Sequence, residues 1–330
     1  MSRLANKRIL VTGGAGFIGS HLTRQLVNLG AEVAVTVKYN SVIDNARIVD
    51  LWDKVHVIEA DLRNLDSLKQ IADYKPQIVF HLAAYNHVGD SFLHINEALD
   101  ANIKGTANVM QTWEGYERFV YIATSEVYGY QTGFPFTETM TPNPISPYSV
   151  GKYGGEQYAR LFMEQRGMPI VILRPFNAFG PYQSARAVIP ELIQLCLEGR
   201  PVKTTQGKQT REFNFVTNLT EGMALAGEAD GAIGQTINIG SGEEIAIRDL
   251  VKKIHALTGS SSELQIGALP DRPTEIWRMA ADNRRAKEIL GWEPQVDFET
   301  GLLRTIEWFQ AFVHAYRNTD SELWKLATWR

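Results

Sequence analysis

One glycine-spaced turn constrains the fold of this chain more than any other feature of the sequence. Residues 11–22 read VTGGAGFIGSHL and lie between an apolar run and an amphipathic segment. Glycines three residues apart allow a tight bend, close approach of backbone to a pyrophosphate, and close packing of the following helix. The positive end of that helix then faces the phosphates. The turn predicts a dinucleotide site whose contacts are Gly13, Gly16, Phe17, Ile18 and Gly19.

Short apolar runs alternate with amphipathic segments through the first half of the chain. The predicted strands span residues 8–12, 32–37, 55–59, 77–82, 119–123 and 170–174. The predicted helices span residues 21–29, 65–72, 95–111 and 148–165. Strands that alternate with helices indicate a parallel sheet, and runs that are apolar on both faces indicate burial between two helix layers. The predicted fold class is therefore α/β, with a doubly wound parallel sheet.

The pattern changes after Arg174. Prolines at 175, 181, 190 and 201 interrupt it, and turn residues cluster around 199–207. This indicates a smaller C-terminal α/β lobe over the carboxyl ends of the strands, where open sheets bind ligands. Residues 235–242, QTINIGSG, predict one strand that returns to the sheet. We expect a cofactor domain over residues 1–174 with a returning segment near 212–240, and a substrate-binding lobe over 175–211 and 241–330.

Composition limits the classes of partner. Of the 330 residues, 44% are hydrophobic and 21% are charged, which is ordinary for a globular protein, and the net charge of −4 favours neither nucleic acid nor an anionic membrane. No stretch approaches the roughly 18 apolar residues of a membrane span. The single cysteine, Cys196, fits a reducing compartment. We expect a cytoplasmic protein, and no metal site, because the seven histidines are scattered without a Cys/His cluster.

The adenosine end of the predicted cofactor site lacks the usual acid. Residues 34–41 read AVTVKYNS, where an Asp or Glu would bind the ribose 2′-hydroxyl and repel a 2′-phosphate. Lys38 offers a cation, and Asn40 and Ser41 offer neutral donors, so NADP is slightly favoured over NAD. A solvated surface lysine explains Lys38 almost equally well. In the segment EADLRN, Asp61 could accept a hydrogen bond from the adenine amine, with Leu62 beside it, or Asp61 could be a turn residue or helix cap.

A catalytic pair is predicted in residues 146–159, SPYSVGKYGGEQYA. Tyr148 and Lys152 are four residues apart, which places both side chains on one face of a helix. Tyrosine has an unperturbed pKa of about 10. A nearby ammonium and an oxidised nicotinamide both favour the phenolate, so the pair can act as a base near neutral pH. Thr124, at the end of a predicted strand, could hydrogen-bond the substrate hydroxyl that Tyr148 deprotonates.

These motifs together resemble the extended short-chain dehydrogenase/reductase family that acts on nucleotide sugars. The resemblance rests on the glycine turn, on HLAA at 81–84, on the set of Thr124, Tyr148 and Lys152, and on LRPFNAFGP at 173–181, and it extends to residue 302. It implies an N-terminal Rossmann domain, a nicotinamide cofactor that is recycled, and a C-terminal lobe that holds a nucleotide diphosphate sugar. It also implies cofactor contacts at Leu82, Ala83 and Ala84, and a homodimer.

Within the family, residues 123–129, ATSEVYG, are most similar to hexose 4,6-dehydratases of the GDP-mannose dehydratase type. Residues 183–190, QSARAVIP, are similar to LegB-like amino-sugar 4,6-dehydratases. This likeness implies that C4 of the sugar is oxidised, Glu126 removes the C5 proton, water leaves from C6, and hydride returns to C6. Many dehydratases have an Asp where this chain has Ser125, so either Glu126 carries both proton steps or a water does. Alternatively, Glu126 is a loop carboxylate bonded to neighbouring backbone.

The resemblance also implies substrate contacts in the second lobe. Asn177 could hold the diphosphate or the sugar, and Arg211 and Arg272 match positions that grip the diphosphate, for which a rigid guanidinium fork is well suited. Arg186 and Val188 are further candidates. The alternative for each arginine is a surface or ion-pair role, at even odds for Arg186.

The leading interpretation is a nucleotide diphosphate hexose 4,6-dehydratase with a HexNAc substrate. A UDP-glucuronate decarboxylase and a 4-epimerase are the nearest alternatives, and a decarboxylase could use Arg186 or Arg211 for the C6 carboxylate. A Rossmann protein that senses NADP without turnover is a different class. The Tyr148/Lys152 pair argues against it, since a sensor needs no base.

Overall fold

The structure, a computed structural model, describes residues 2–38, 46–271 and 275–317. Its centre is a sheet of seven strands in which every neighbouring pair is parallel. In spatial order the strands are Thr236–Ile239, Ile170–Pro175, Arg118–Ile122, Ile78–His81, Arg8–Thr12, Glu32–Val37 and Val55–Glu59. The six predicted strands of the first half are confirmed to within one residue at each end. The predicted returning strand is confirmed at Thr236–Ile239, which pairs with Ile170–Pro175 at the sheet edge.

Both faces of the sheet are buried. Along the first strand, Ile9 and Val11 belong to one apolar cluster, whereas Leu10 belongs to another on the opposite face. The same alternation continues in the middle of the sheet, where Val120 packs on one side and Phe119 on the other. Sheets covered on both faces carry such continuous apolar strands. The predicted doubly wound α/β fold is therefore confirmed.

The helices cover the sheet and build the second lobe. They are Phe17–Asn28, Lys69–Tyr74, Val88–Ser91, Ile95–Leu99, Gly105–Thr112, Pro147–Arg166, Val188–Leu197, Val216–Glu228, Ile247–Leu257, Arg284–Leu290 and Phe298–Arg317. The helix predicted from residue 21 begins at Phe17, directly after the glycine turn. The helix predicted over 95–111 is interrupted by a π-helical turn at Asp100–Lys104. None of the helices in the described part of the chain has the length and apolar character that a bilayer span requires.

A separate apolar cluster lies in the second half of the chain. Its buried members run from Phe179 to Phe309 and include one face of helix Val188–Leu197 and of helix Ile247–Leu257. Short strand pairs frame it: Val202–Thr204 with Leu264–Ile266, Thr210–Glu212 with Glu244–Ala246, and Ala178–Phe179 with Asn214–Phe215. The cluster is compatible with a second lobe, and the domain limits given above stay a prediction.

A buried ion pair fixes helix Pro147–Arg166 to the sheet. Glu156 is fully buried, and Arg174 on strand Ile170–Pro175 is 2% exposed. The guanidinium donates to both carboxylate oxygens, at 3.0 and 2.6 Å. Arg160 donates to the same carboxylate at 2.9 Å. Two opposite charges buried in this geometry compensate each other, whereas removal of either one leaves a buried unpaired charge that destabilises the fold.

We predict that Glu156→Ala destabilises the fold by about 3–5 kcal/mol, because it leaves the buried Arg174 guanidinium without a carboxylate. The measurement is the free energy of unfolding from denaturant titration. Glu164→Ala is the matched control, since Glu164 is an exposed acid on the same helix and should cost less than about 0.5 kcal/mol. Equal effects of the two substitutions would contradict this account.

Candidate active site

The segment after strand Arg118–Ile122 turns at once into a short 3₁₀ helix, Ser125–Tyr128. Thr124 is the N-cap of this helix, and its hydroxyl oxygen accepts the backbone N–H of Glu126 at 3.2 Å. Because that bond uses the oxygen as an acceptor, the hydroxyl can still donate its proton, and the Tyr148 side chain is a hydrogen-bond partner. Thr124 is 7% exposed, so its position at the carboxyl end of the sheet is well defined.

Helix Pro147–Arg166 begins where its sequence favours a helix start. Ser146 is the N-cap, and its hydroxyl accepts from Ser149 N at 3.1 Å while the Ser149 hydroxyl accepts from Ser146 N at 3.0 Å. Proline at the first helical position lacks the N–H that would otherwise have no partner. The next N–H, that of Tyr148, donates to the hydroxyl of Ser91 at 3.1 Å. Tyr148 is therefore held in place by its backbone.

Tyr148 lies beside Thr124 and Glu126. Burial raises the pKa of Tyr148 to about 12, a hydrogen bond with the Thr124 side chain opposes that rise, and the charge of Glu126 adds to it. Lys152 is not among the groups that shift the pKa of Tyr148 in the protein alone, so the prediction that an ammonium and an oxidised nicotinamide together favour the phenolate stays a prediction. The structure therefore brings together three predicted catalytic side chains, but it holds the phenol protonated at neutral pH.

Lys152 lies one turn further along the helix and is buried. Its ammonium donates to the carbonyl oxygen of Ile122 at 2.5 Å and lies 4.7 Å above the centre of the Tyr121 ring. Burial lowers the pKa of Lys152 to about 7, although the charge of Glu156 acts in the opposite direction. Loss of hydration is the physical cause in both Tyr148 and Lys152, since it favours the neutral form of each group.

Ser125 differs in placement from its neighbours. Its hydroxyl is buried and donates to the sulfur of Met279 at 3.6 Å, which is a weak bond within the protein. Glu126 is partly exposed. Glu126 therefore has the more open position of the two, which is compatible with its predicted role in proton transfer.

The glycine turn has the geometry of a phosphate cradle. Gly13 has φ of +68°, and a Cβ there would lie 2.9 Å from Ala83 Cα. A Cβ on Gly19 would lie 2.1 Å from the Gly13 carbonyl oxygen. Helix Phe17–Asn28 starts at Gly16 with no capping side chain and no acid in its first turn, so its first N–H groups can receive a phosphate. The residues present fit a dinucleotide.

A buried chain of hydrogen bonds fixes strand Ile78–His81, the spatial neighbour of Arg8–Thr12, next to the glycine turn. Thr106 donates to the Asn102 carbonyl at 2.7 Å, and its oxygen lies 3.0 Å from His81 Nε2. Thr12 Oγ1 accepts from Ala83 N at 3.2 Å and lies 2.8 Å from His81 Nδ1. The bonds are all satisfied if His81 is neutral with its proton on Nε2. Burial, helped by the charge of Lys152, lowers the pKa of His81 to about 3.

The remaining predicted cofactor contacts lie around these elements. Leu82 donates its N–H to the Thr12 carbonyl at 3.2 Å, and Ala84 follows Ala83 at the same strand end. Asn102, in the π-helical turn, accepts from Tyr85 N at 2.7 Å and donates to Tyr85 O at 3.1 Å. The π-helical turn therefore positions the segment that follows Ala84, which a uniform α-helix pattern did not anticipate.

The adenosine end contains charges of both signs. Asp61 is bonded to Arg63, and this hydrogen bond lowers the pKa of Asp61 to about 2. Lys38 is exposed, with its ammonium 3.9 Å from Glu97. Leu62 is buried, and its carbonyl accepts from Asn108 at 2.8 Å. Asn40 and Ser41 lie outside the described residues.

In the second lobe, the predicted arginines have protein partners. Arg211 donates to Glu275 and to the Ile276 carbonyl, both at 2.5 Å. Arg186 donates to both carboxylate oxygens of Asp90. Asn177 donates to the Glu212 carbonyl at 3.0 Å. Val188, exposed at the start of its helix, has no such tie, and Arg272 lies outside the described residues.

Sequence reasoning missed several residues that organise the site. They are Asp90, Ser91, Asn102, Glu156 and Glu275. The spacing of Glu156, four residues after Lys152, was the one available signal, because it places an acid on the same helical face. The other contacts join segments far apart in the sequence. Within the described ranges, no group of His, Cys, Asp and Glu side chains could hold a metal ion.

Fold and site together define an enzyme of the extended short-chain dehydrogenase/reductase class. The sequence matches the family model described as GDP-mannose 4,6 dehydratase over residues 10–305. A dTDP-D-glucose 4,6-dehydratase from Bos taurus is 32% identical, over 96% of this chain and 92% of the relative. The chain therefore belongs to the GDP-mannose 4,6-dehydratase family.

Two solved structures extend the comparison. An epimerase from Methanothermobacter thermautotrophicus has a TM-score of 0.89 and 32% identity, over 96% of each chain. DesIV from Streptomyces venezuelae, a dTDP-glucose 4,6-dehydratase solved with NAD bound, has a TM-score of 0.85 and 29% identity, over 92% of this chain and 97% of that one. Solved structures with a similar fold therefore include both a dehydratase and an epimerase.

We predict that Gly13→Ala disturbs the cofactor cradle beyond the cost of its backbone conformation. Gly167 is the matched control: its φ of +62° resembles the +68° of Gly13, but a Cβ there meets nothing within 4 Å. Gly167→Ala should cost about 1–2 kcal/mol of unfolding free energy. Gly13→Ala should cost more and also weaken NAD binding by calorimetry. Equal destabilisation with unchanged NAD affinity would contradict the steric argument.

Proposed function

We propose that this protein is a nucleotide diphosphate sugar 4,6-dehydratase that forms a 4-keto-6-deoxy sugar. The observation that carries the proposal is the placement of Glu126 two residues after Thr124, on one 3₁₀ turn, close enough for its charge to raise the pKa of Tyr148. A carboxylate beside a hydroxyl donor and a tyrosine supplies a second base at the site where the first proton is taken. A 4,6-dehydratase needs two such proton-accepting groups, one for the C4 hydroxyl and one for C5.

The steps follow from what each side chain can do. Thr124 donates its free proton to the C4 oxygen, and Tyr148 accepts the C4 hydroxyl proton as that carbon is oxidised. The ketone acidifies the proton on C5, and Glu126 accepts that proton and passes it to the C6 hydroxyl, which leaves as water. C5 then takes up a proton from solvent, and Tyr148 releases its proton to solvent. The net change is the loss of one water, with no net oxidation.

The glycine cradle would hold the diphosphate of a nicotinamide dinucleotide, and Tyr148 and Lys152 would face its reactive end. When bound, this cofactor accepts hydride from C4 and returns it to C6, and its oxidised ring brings the positive charge that favours ionised Tyr148. Lys152, with a pKa lowered to about 7, is within range to exchange a proton with its surroundings at neutral pH.

A 4-epimerase is the second candidate, favoured by the high structural similarity of the epimerase from M. thermautotrophicus. An epimerase uses Thr124 and Tyr148 in the same way but needs no base at C5. A decarboxylase remains an alternative. The role of Glu126 therefore discriminates between the candidates.

Finer assignments are also proposals. We propose a HexNAc sugar, from the resemblance of residues 183–190 to amino-sugar dehydratases, with dTDP-glucose, the substrate in the names of several relatives, as the second candidate and the test substrate. A preference for NADP is proposed from Lys38 and the absence of an acid in 34–41. The comparison with DesIV, solved with NAD bound, favours NAD instead. A cytoplasmic location fits the single buried Cys196.

We also propose a homodimer. Val150, Tyr158 and Leu161 are exposed on helix Pro147–Arg166, and they are spaced so that they share one face. A second copy of this chain, covering that face, would bury them. The proposal concerns only the described residues of this helix.

We predict that Tyr148→Phe lowers turnover of dTDP-glucose by at least about 10²-fold, the lower range for loss of a general base. Calorimetry should show that the sugar nucleotide still binds. Tyr158→Phe, an exposed tyrosine on the same helix, should leave turnover unchanged. Near-normal turnover in Tyr148→Phe would contradict the assigned base.

Glu126→Gln should block elimination without preventing substrate binding, because the amide keeps the shape but cannot accept the C5 proton. In D₂O, the wild type should place solvent deuterium at C5, and the variant should do so at least about 10²-fold more slowly. NMR of the products measures both. Glu164→Gln is the control. Formation of the 4-keto-6-deoxy product by Glu126→Gln at the wild-type rate would show that Glu126 is not the C5 base, and a 4-epimer or a decarboxylated sugar as the wild-type product would favour the epimerase or decarboxylase.

Lys38→Ala should weaken NADP binding by about two- to tenfold, and NAD binding less, because an exposed charge near a phosphate contributes modestly. Lys7→Ala is the control, since Lys7 lies at the amino end of strand Arg8–Thr12, whereas Lys38 follows the carboxyl end of strand Glu32–Val37. Equal effects on both cofactors would show that Lys38 does not read the 2′-phosphate.

A further inference from the structure

Arg186 and Asp90 form a bidentate ion pair between two segments that are 96 residues apart in the sequence. The two terminal nitrogens of Arg186 donate to the two carboxylate oxygens of Asp90, at 2.8 and 2.9 Å. Asp90 is 29% exposed and Arg186 45% exposed. A two-point contact fixes the relative orientation of the groups, which a single-point contact does not.

On one side, the ion pair is linked to the helix of Tyr148 through Ser91, the residue that follows Asp90. Asp90 lies on helix Val88–Ser91, and the hydroxyl of its neighbour Ser91 accepts the N–H of Tyr148 at 3.1 Å. His87 caps the same short helix, accepting from Asp90 N at 3.0 Å. A displacement of Asp90 therefore moves the group that holds Tyr148.

On the other side, the pair is at the entrance to the second lobe. Arg186 is two residues before helix Val188–Leu197, which packs its apolar face into the cluster of the second lobe. The segment before Arg186 is also tied to the first half of the chain, since the Pro181 carbonyl lies 3.0 Å from His21 Nε2 and the Tyr182 carbonyl accepts from Arg47 at 3.1 Å. Arg186 completes that set of contacts.

This placement changes the expected role of Arg186. A guanidinium that faces a carboxylate with both terminal nitrogens has that face occupied, so a diphosphate would have to displace Asp90 or use the other N–H donors. The charged and titratable groups around the pair are His87, which lies 3.3 Å from Asp90, His94, whose charge also acts on Asp90, and Tyr85, whose pKa is raised by burial, by Asp90 and by Glu97 and lowered by Arg186. Arg186 is the permanently charged cation among the groups that contact Asp90.

We propose that Asp90 and Arg186 form a clasp between helix Val88–Ser91 and the segment that leads into helix Val188–Leu197, and that Asp90 is a positioning residue acting through Arg186 and Ser91. The proposal rests on the proposed function for its effect on substrate, but the clasp itself is a property of the protein. The clasp holds the short helix that contacts the Tyr148 backbone, Val88–Ser91, next to the segment that leads into helix Val188–Leu197. It therefore acts on substrate affinity more than on the chemical step.

The first experiment needs no substrate. Asp90→Asn and Arg186→Gln each remove one charge, and the reversed pair Asp90→Arg with Arg186→Asp restores an ion pair with the charges exchanged. Hydrogen–deuterium exchange of the peptides around residues 86–94 and 145–150 should become at least about threefold faster in each single variant and should recover in the reversed pair. Unchanged exchange in the single variants overturns the clasp.

The second experiment measures kinetics with dTDP-glucose as the probe. Each single variant should raise KM by about three- to tenfold with kcat within about twofold, and the reversed pair should return KM to within about twofold of wild type. If Arg186→Gln raises KM, Asp90→Asn does not, and the reversed pair gives no rescue, Arg186 binds the diphosphate directly and the proposal is wrong. Asp90→Glu, which keeps the charge, should stay close to wild type.

The two experiments separate this proposal from the proposed function. A wild-type protein that converts no sugar nucleotide would defeat the proposed function, and the exchange measurement would still decide whether the clasp exists. If the exchange results support the clasp but KM is unchanged in every variant, the effect on substrate affinity is overturned. Circular dichroism and thermal melting of each variant exclude global unfolding as the cause.

Discussion

The buried ion pair between Glu156 and Arg174 is the interaction on which the geometry of the active site depends. Glu156 belongs to the helix of Tyr148 and Lys152, and Arg174 belongs to strand Ile170–Pro175, the second strand from one edge of the sheet. The guanidinium also lies 4.8 Å above the ring of Tyr128, the last residue of the turn that begins after Thr124. Tyr128 in turn donates to Asn238 on the returning strand at 2.6 Å.

This connection fixes three separate segments with one guanidinium. Helix, strand end and 3₁₀ turn cannot move independently, because Arg174 contacts all three and is itself buried. Such a buried charge pair adds little net stability, since desolvation offsets the attraction. What it provides here is a single arrangement of the helix that carries Tyr148 and Lys152 relative to the turn that begins after Thr124. The relative positions of the site residues are therefore fixed by buried contacts of Glu156 and Arg174.

Burial has opposite consequences for the two central ionisable groups. It raises the pKa of Tyr148 and lowers that of Lys152, since in both cases it disfavours charge. The free protein therefore holds a protonated phenol beside an amine that titrates near neutrality. In the proposed reaction, ionisation of Tyr148 would need a further positive charge, which an oxidised cofactor held by the glycine turn would supply.

The fold could be predicted almost completely from the sequence, whereas the site could be predicted only in part. Strand runs such as 8–12 and 32–37 and the glycine turn are local patterns whose physics is independent of distant residues. The pairing of Arg211 with Glu275, of Arg186 with Asp90 and of Ser125 with Met279 depends on contacts across 64, 96 and 154 positions. No periodicity or motif reports such contacts. The π-helical turn at Asp100–Lys104 was missed for a related reason, because its function is to place Asn102 against the backbone of Tyr85.

The central claim is that one site oxidises C4 and eliminates water across C5 and C6. The most direct measurement uses dTDP-glucose labelled with deuterium at C4, with the product analysed by NMR and mass spectrometry. The account predicts a 4-keto-6-deoxy product that carries the label at C6. Recovery of the label at C4 in a C4 epimer, with the C6 hydroxyl retained, would contradict it and identify an epimerase.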